Sequence, residues 1–464
     1  MDNRLIGLIL AGGDEGGFKS KTPKVLHSLL GTSLLRLTAE AVGRAGPARM
    51  IVVGLARDLA SAEMAGLPAA IVEKTNDKGP AAAVRSARKE WAKNLDGDVL
   101  IVPSDVPLVE SAVLRALVSR HRKKKYAGTM LWADAAAPAN AEGRIPVRET
   151  EEKSDVPADR LPRRIPTGIF IFQARELARV LPRALKPGHK GGSDLTAAFG
   201  LLASTGRPVG VFLAPDPEDV RRIVSRFDLG RASDRMRLRK IRALAEDGVT
   251  VLSPASTWID WNVKIGPETV VYPGAVIEGP TVIGRNGRIY PNAHIVRSVI
   301  GDDVHVLGSS EVEDATVEND VRIGPFARVR MQTILRSGSR VGNFVEMKKT
   351  DFGPHAKAMH LSYLGDSEVG EAANIGAGTI TCNYDGVNKN RTTIGAGAFI
   401  GSGSELVAPV RIGRGAYVAA GSVITKDVGD DALAVARGRQ VERPGWAAAR
   451  RAKLEKAKRS GSKP

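Results

Sequence analysis

Residues 259–295 read IDWNVKIGPETVVYPGAVIEGPTVIGRNGRIYPNAHI, and an aliphatic side chain returns at every sixth place: Ile259, Ile265, Val271, Ile277, Ile283, Ile289 and Ile295. After a phase slip the rhythm resumes at Ile300, Val306 and Val312, then at Val317, Ile323, Val329, Leu335 and Val341. It returns at Tyr363, Val369 and Ile375, and again from Ile394 through Ile400, Leu406, Ile412 and Val418 to Ile424. Glycine often follows the aliphatic residue, as in Ile265-Gly266 and Ile412-Gly413. A helix face repeats about every 3.6 residues and a strand face every 2, so a period of six fits neither. It fits a prism in which each hexapeptide forms one face and points its aliphatic residue at the axis. Three faces make a coil of about eighteen residues, and coils stacked at ~4.8 Å build a rod of roughly 45–50 Å from about ten of them. The spacing predicts a parallel β-helix over residues 249–436.

Composition agrees. Aromatic residues make up only 5% of the 464 residues and glycine reaches 50, which suits short strands and tight turns. The apolar run at the N-terminus, in MDNRLIGLILAGG, is too short for a signal peptide or a membrane span. The single cysteine, Cys382, excludes an internal disulfide and a paired-cysteine metal site. A cytoplasmic protein is the expectation. The net charge of +17 raises nucleic acid as a partner. Part of that excess lies in the last residues, RPGWAAARRAKLEKAKRSGSKP, and part in Arg120–Lys125 and Arg221–Lys240. A tail of this composition, residues 437–464, reads as a solvated end, and a positive field also serves anionic substrates. No membrane and no specific nucleic acid is expected as a partner.

Ahead of the repeats the chain changes style. Strand-like runs at 4–11, 50–56, 98–105 and 167–172 alternate with helical patterns at Leu34–Val42 and Ala81–Trp91. Such alternation predicts an α/β domain over residues 1–225 with a Rossmann-like, largely parallel sheet, its ligands outside the carboxyl ends of the strands. Both the glycine-rich loop after the first strand and Asp105 fall at such ends. Residues 226–248 carry apolar positions at helical spacing and end at Gly248, which predicts a linking helix.

A solenoid by itself implies no chemistry, so the site is sought where the repeat breaks. Between Val341 and Ile394 stand VGNFVEMKK, AKAMHLSYLGD and NIGAGTITCNYDG, polar stretches that the prism does not need. His360 is the natural general base, histidine being the side chain that titrates near neutrality. Arg330, Lys348 and Lys349 are cations suited to a phosphate. Tyr363, Asn374, Asn383 and Tyr384 offer hydrogen bonds to sugar hydroxyls.

These three stretches resemble the acetyltransferase half of the GlmU family, bacterial bifunctional N-acetylglucosamine-1-phosphate uridylyltransferase / glucosamine-1-phosphate acetyltransferases. The resemblance extends over nearly the whole chain, through ILAGG, PKVLH and SDVPL. It implies a left-handed β-helix, acetyl-CoA as acetyl donor and a homotrimer with acetyl-CoA between neighbouring prisms. It implies His360 as the base that deprotonates the sugar amine, with Arg330 and Lys348 on the sugar phosphate and Tyr363 and Asn374 beside the ring. Ala377, Asn383, Tyr384, Ser402, Ala420 and Arg437 match family positions that line the acetyl-CoA site.

The N-terminal half departs from the family. A signature LAAGxGTRMxSxxPKVLH is expected, and here it reads LAGGDEGGFKSKTPKVLH. Leu10, Ala11, Gly12, Gly13 and Lys24 match nucleotide-binding positions, but the arginine that would stabilise the triphosphate is Gly17. Asp14 and Glu15 put two carboxylates where phosphates should lie, which is repulsive at close range. The family's QLGTGHA is NDKGPAA, the asparagine of its NTGI segment is Pro166, and a sugar-binding loop around Glu151 is shortened. Asp105 survives as the magnesium ligand, whereas its asparagine partner is replaced in the region of Val224 and Ser225. One carboxylate makes a weak magnesium site, because the ion needs several placed oxygens. Two readings follow: a uridylyltransferase half that is impaired, or a fully bifunctional enzyme that also uses UTP and Mg2+ and makes UDP-N-acetylglucosamine. A non-catalytic sugar-nucleotide sensor or nucleic-acid scaffold is disfavoured by the complete set of C-terminal site residues.

Overall fold

The computed structural model describes residues 2–12, 17–73, 79–135, 163–185 and 195–459. The chain forms two compact units, Met1–Glu246 with Trp258–Val263, and Asp247–Thr257 with Lys264–Pro464. Among the described residues no helix is long and apolar enough to cross a membrane.

The first unit is a seven-stranded sheet in the order Ala69–Val72, Pro47–Val53, Asp2–Leu10, Asp98–Pro103, Arg163–Gln173, Gly128–Ala135 and Val209–Leu213. Its first four strands pair in parallel, and Arg163–Gln173 alone runs against its neighbours. The strands are near-continuous apolar runs such as VLIV at 99–102 because helices cover both faces. The predicted helix at 34–42 is Leu34–Arg44, started by Ser33, whose Oγ accepts from Arg36 N at 3.1 Å. The one predicted at 81–91 is two pieces, Pro80–Ser86 and Arg88–Trp91, meeting at Ala87. Chain order reverses about Asp2–Leu10, so the carboxyl ends of that strand and of Asp98–Pro103 form a switch point. Helix Arg226–Glu246 buries Ala232, Met236, Ile241 and Leu244 and belongs to this unit.

The second unit holds short parallel strands stacked into three sheets, the longest of eleven strands. The sixth-residue aliphatic positions point inward: Ile277, Ile289, Val306, Val312, Leu335 and Ile400 are completely buried. The slip between Ile295 and Ile300 marks where coils shorten from eighteen residues to seventeen, so that Ile277 pairs with Ile295 but Ile283 pairs with Ile300. The same shortening corrects one position. Leu364, not Tyr363, takes the inward place beside Met347, and Tyr363 is left on the outer face. Residues 437–464 include a helix, Trp446–Arg459, with no buried residue.

Candidate active site

Strands in the longest sheet usually pair over two residues, but Arg340–Asn343 and Lys357–His360 run on for four. Gly342 permits this, since a Cβ there would collide with the carbonyl of Met359. The extension carries His360 to the corner between two faces, directly beside Asn343 in register. His360 is exposed, and its Nδ1 lies 2.7 Å from Asn343 Oδ1. An amide oxygen only accepts, so Nδ1 carries the proton and, in the neutral tautomer this contact selects, the lone pair lies on Nε2.

Past that corner lies the face that carries the cations. Arg328, Glu346, Tyr363 and Ile380 stack in one column, and Arg330, Lys348 and Gly365 in the next. Arg330 donates to Glu346 Oε1 from Nε at 2.8 Å and from Nη2 at 2.6 Å, which fixes its guanidinium over the strand. Gly365, beside Lys348 in register, lets the Tyr363 hydroxyl and the Asn383 amide pack against the strand, since a Cβ there would collide with both. Asn383, buried at the far corner of this face, donates from Nδ2 to Asp366 Oδ2 at 2.5 Å. Asn374 shares the sheet of His360, one coil along from Lys357. Lys349 sits at a corner with φ +50° and is exposed.

The six residues matched to acetyl-CoA divide into two places. Ala377, Ser402 and Ala420 follow one another along the corner of His360: Gly378 N donates to Leu361 O, Gly403 N to Ala377 O and Gly421 N to Ser402 O. Arg437 closes the row by donating from Nη1 to Ala420 O at 2.8 Å. This corner demands a left-handed backbone in every coil. Phe326, Phe344 and Leu361 meet the demand on one side of His360, and Gly378, Gly403 and Gly421 on the other. The row is therefore bulky up to the coil of the histidine and bare in the coils beyond it. Asn383 and Tyr384 stand at the opposite corner, where Lys389 Nζ lies 3.9 Å from the Tyr384 ring centre. Asp385 pins that loop by accepting from the backbone of Val387 and Asn388 at 2.8 and 2.7 Å.

In the first unit, Leu10 ends the first strand, Ala11 and Gly12 follow it, and Gly12 packs on Gly54. Gly13, Asp14, Glu15 and Glu151 lie outside the described residues, as does the side chain of Pro166. Lys24 and Asp105 are both buried, with Lys24 Nζ 2.7 Å from Asp105 Oδ2. Arg222 grips the same carboxylate, Nε on Oδ1 at 3.1 Å and Nη2 on Oδ2 at 2.8 Å. Burial pushes the Asp105 carboxyl up, but Arg222 and then Lys24 outweigh it and hold it below the ordinary aspartate range. Both oxygens are thus taken by fixed cations. Val224 offers no oxygen from its side chain, and Ser225 Oγ is bonded to Asp228 at 2.7 Å. Among the described residues no cluster of three acidic, histidine or cysteine side chains could hold a metal. The described residues here do not fit a magnesium ion.

Asn343, Gly342, Gly365 and Arg222 were not singled out by sequence. Counting one seventeen-residue coil back from His360 would have found Asn343.

Known proteins share this arrangement of parts. Residues 7–203 match the MobA-like NTP transferase domain, 259–364 the GMPPB C-terminal domain, and 391–426 the bacterial transferase hexapeptide (six repeats). The bifunctional protein GlmU of Thermotoga petrophila is 41% identical over 95% of this chain and 98% of its own. That of Geobacillus sp. is 39% identical over 95% of this chain and 96% of its own. The chain belongs to the GlmU family. It is an enzyme with the family's two halves, a nucleotidyltransferase-type α/β domain and a left-handed β-helix of hexapeptide repeats. The family uses acetyl-CoA and Mg2+, and its bifunctional members pair acetyl transfer with uridylyl transfer.

Proposed function

We propose that the β-helix transfers acetyl from acetyl-CoA to the amine of glucosamine 1-phosphate, giving N-acetylglucosamine 1-phosphate. The observation that carries this reading is the exposed imidazole of His360 with Nδ1 tied to Asn343. Nε2 takes a proton from the sugar ammonium, and the freed amine attacks the thioester carbonyl. The C–S bond then breaks, the imidazolium gives its proton to the coenzyme A thiolate, and the second proton lost by the nitrogen passes to solvent, so the positive charge of the ammonium leaves as one released proton. Lys348 and Arg330 hold the sugar phosphate on the adjacent face, and Tyr363 and Asn374 hold the ring. Hydrogen-bond donors around the developing oxyanion supply the remaining stabilisation.

The bare corner from Gly378 to Gly421 supports a path for the pantetheine arm. Ala377, Ser402, Ala420 and Arg437 step along it one coil at a time, ~19 Å from His360 to Arg437 at ~4.8 Å per coil. Arg437 then stands where the phosphates of coenzyme A end, and Asn383 and Tyr384 line the opposite side. A homotrimer fits the exposed apolar residues that lead up to and flank the histidine: Phe326 and Phe344 stack at 5.4 Å, and Met359 and Leu361 are also uncovered. Such a stripe suits a neighbouring copy.

The uridylyltransferase half is impaired on this reading, because Gly17 replaces the triphosphate arginine and Asp105 is committed to Lys24 and Arg222. Two assays on the purified protein decide the matter. Release of coenzyme A thiol from acetyl-CoA and glucosamine 1-phosphate is expected; pyrophosphate release from UTP and N-acetylglucosamine 1-phosphate with magnesium is not. The opposite pattern would reject both assignments.

A further inference from the structure

Asp105 sits at the switch point of the first sheet, where the family places magnesium, yet its carboxylate is already neutralised. Lys24 reaches it from the loop after the first strand, and Arg222 reaches it from 117 residues further along the chain. The segment that carries Arg222 is fastened down at three more points. Ile223 N donates to Asp105 O at 2.8 Å, and Arg226 Nε donates to Phe18 O at 2.9 Å. Gly17 lies so close to Val224 that a Cβ on it would collide with the Val224 carbonyl oxygen. The end of the glycine-rich loop and residues 222–226 therefore meet over Asp105. We propose that Arg222 is a built-in replacement for the divalent ion: its guanidinium supplies the positive charge that Asp105 requires, keeps metal out, and latches residues 222–226 onto Gly17 and Phe18. The inference deepens, and rests on, the reading of an impaired uridylyltransferase half.

Physical chemistry favours the exchange. A buried carboxylate needs a counter-charge wherever it stands, and a bidentate guanidinium meets its geometry better than any other side chain. Magnesium would have to displace that pair and then find further oxygens, none of which Val224 or Ser225 supplies. The position of Gly17 follows from the same latch, since an arginine there would run into the backbone of Val224.

The test is thermal unfolding of the full chain in EDTA, in millimolar MgCl2, and in NaCl of matched ionic strength. The wild-type melting temperature is expected to be the same in MgCl2 and in matched NaCl. Arg222→Gly should melt lower and recover part of the loss in MgCl2 but not in NaCl. The recovery should vanish in a variant that also carries Asp105→Asn. Arg222→Lys should stay near wild type, and acetyl transfer by the other unit should persist in every variant. A magnesium-dependent rise in the wild type that Asp105→Asn removes would overturn the proposal, as would Arg222→Gly melting like wild type or failing to respond to magnesium. UTP turnover in EDTA would reject the impaired-half reading and leave the replacement standing. UTP turnover that requires magnesium would reject both.

Discussion

Nδ1 of His360 lies 2.7 Å from Oδ1 of Asn343, its register partner in the preceding coil. The contact sets the tautomer before substrate arrives, and it strengthens when the ring gains a proton. A hydrogen bond to a charged group contributes about 1.5–3 kcal/mol. Asn343→Leu should therefore lower kcat roughly ten- to hundredfold, with KM for both substrates little changed. Steady-state kinetics at saturating acetyl-CoA checks this, and an unchanged kcat would remove Asn343 from the account.

Gly342 places that pair. Gly342→Ala puts a methyl group onto the Met359 carbonyl, and the strand holding His360 must shift. Overpacking of this kind costs about 1–3 kcal/mol. A lower denaturation midpoint for the β-helix together with reduced kcat is expected, while a neutral substitution would show that the four-residue pairing is not needed.

On the proposed function, Lys348 acts on binding. Lys348→Ala would remove the cation proposed to hold the sugar phosphate in ground state and transition state alike, so KM for glucosamine 1-phosphate should rise roughly tenfold or more with a smaller change in kcat. KM for acetyl-CoA should hold. A fall in kcat alone would place Lys348 in the chemistry instead.

Acid should loosen the loop that carries Tyr384. Backbone N–H groups of Asn388 and Val387, with the Asn390 amide, hold the Asp385 carboxyl down to about 2. A carboxyl lowered on folding contributes order that is complete above its unfolded value of about 3.9 and is lost as pH falls through the folded one. Amide exchange at Val387 and Asn388 should thus accelerate between about pH 4 and pH 2. Protection that is flat across that window would contradict the contact.

The period of six made the β-helix legible because each aliphatic residue of the repeat has one place to go, the axis. Tyr363 marks the limit of that reasoning. Once coils shorten to seventeen residues the inward place passes to Leu364, and no propensity signals the change. His360, Lys348 and Arg330 were visible as polar residues that a prism does not require. Asn343 was hidden because its role depends on register, which a glycine one residue earlier decides. Arg222 was hidden for a different reason: its partner is Asp105, 117 residues away, and only the folded sheet brings them together. Residues at strand ends could be listed from sequence as candidates, but which of them is neutralised by what is a tertiary fact.

On the proposed mechanism the imidazole at position 360 frees the sugar amine. The direct measurement is kcat for acetyl transfer by His360→Ala, taken alongside circular dichroism and the sedimentation profile of the same sample. Loss of a positioned general base predicts a fall of roughly 10²–10⁴ in kcat with fold and assembly unchanged. Near-wild-type turnover by a correctly folded His360→Ala enzyme would contradict it.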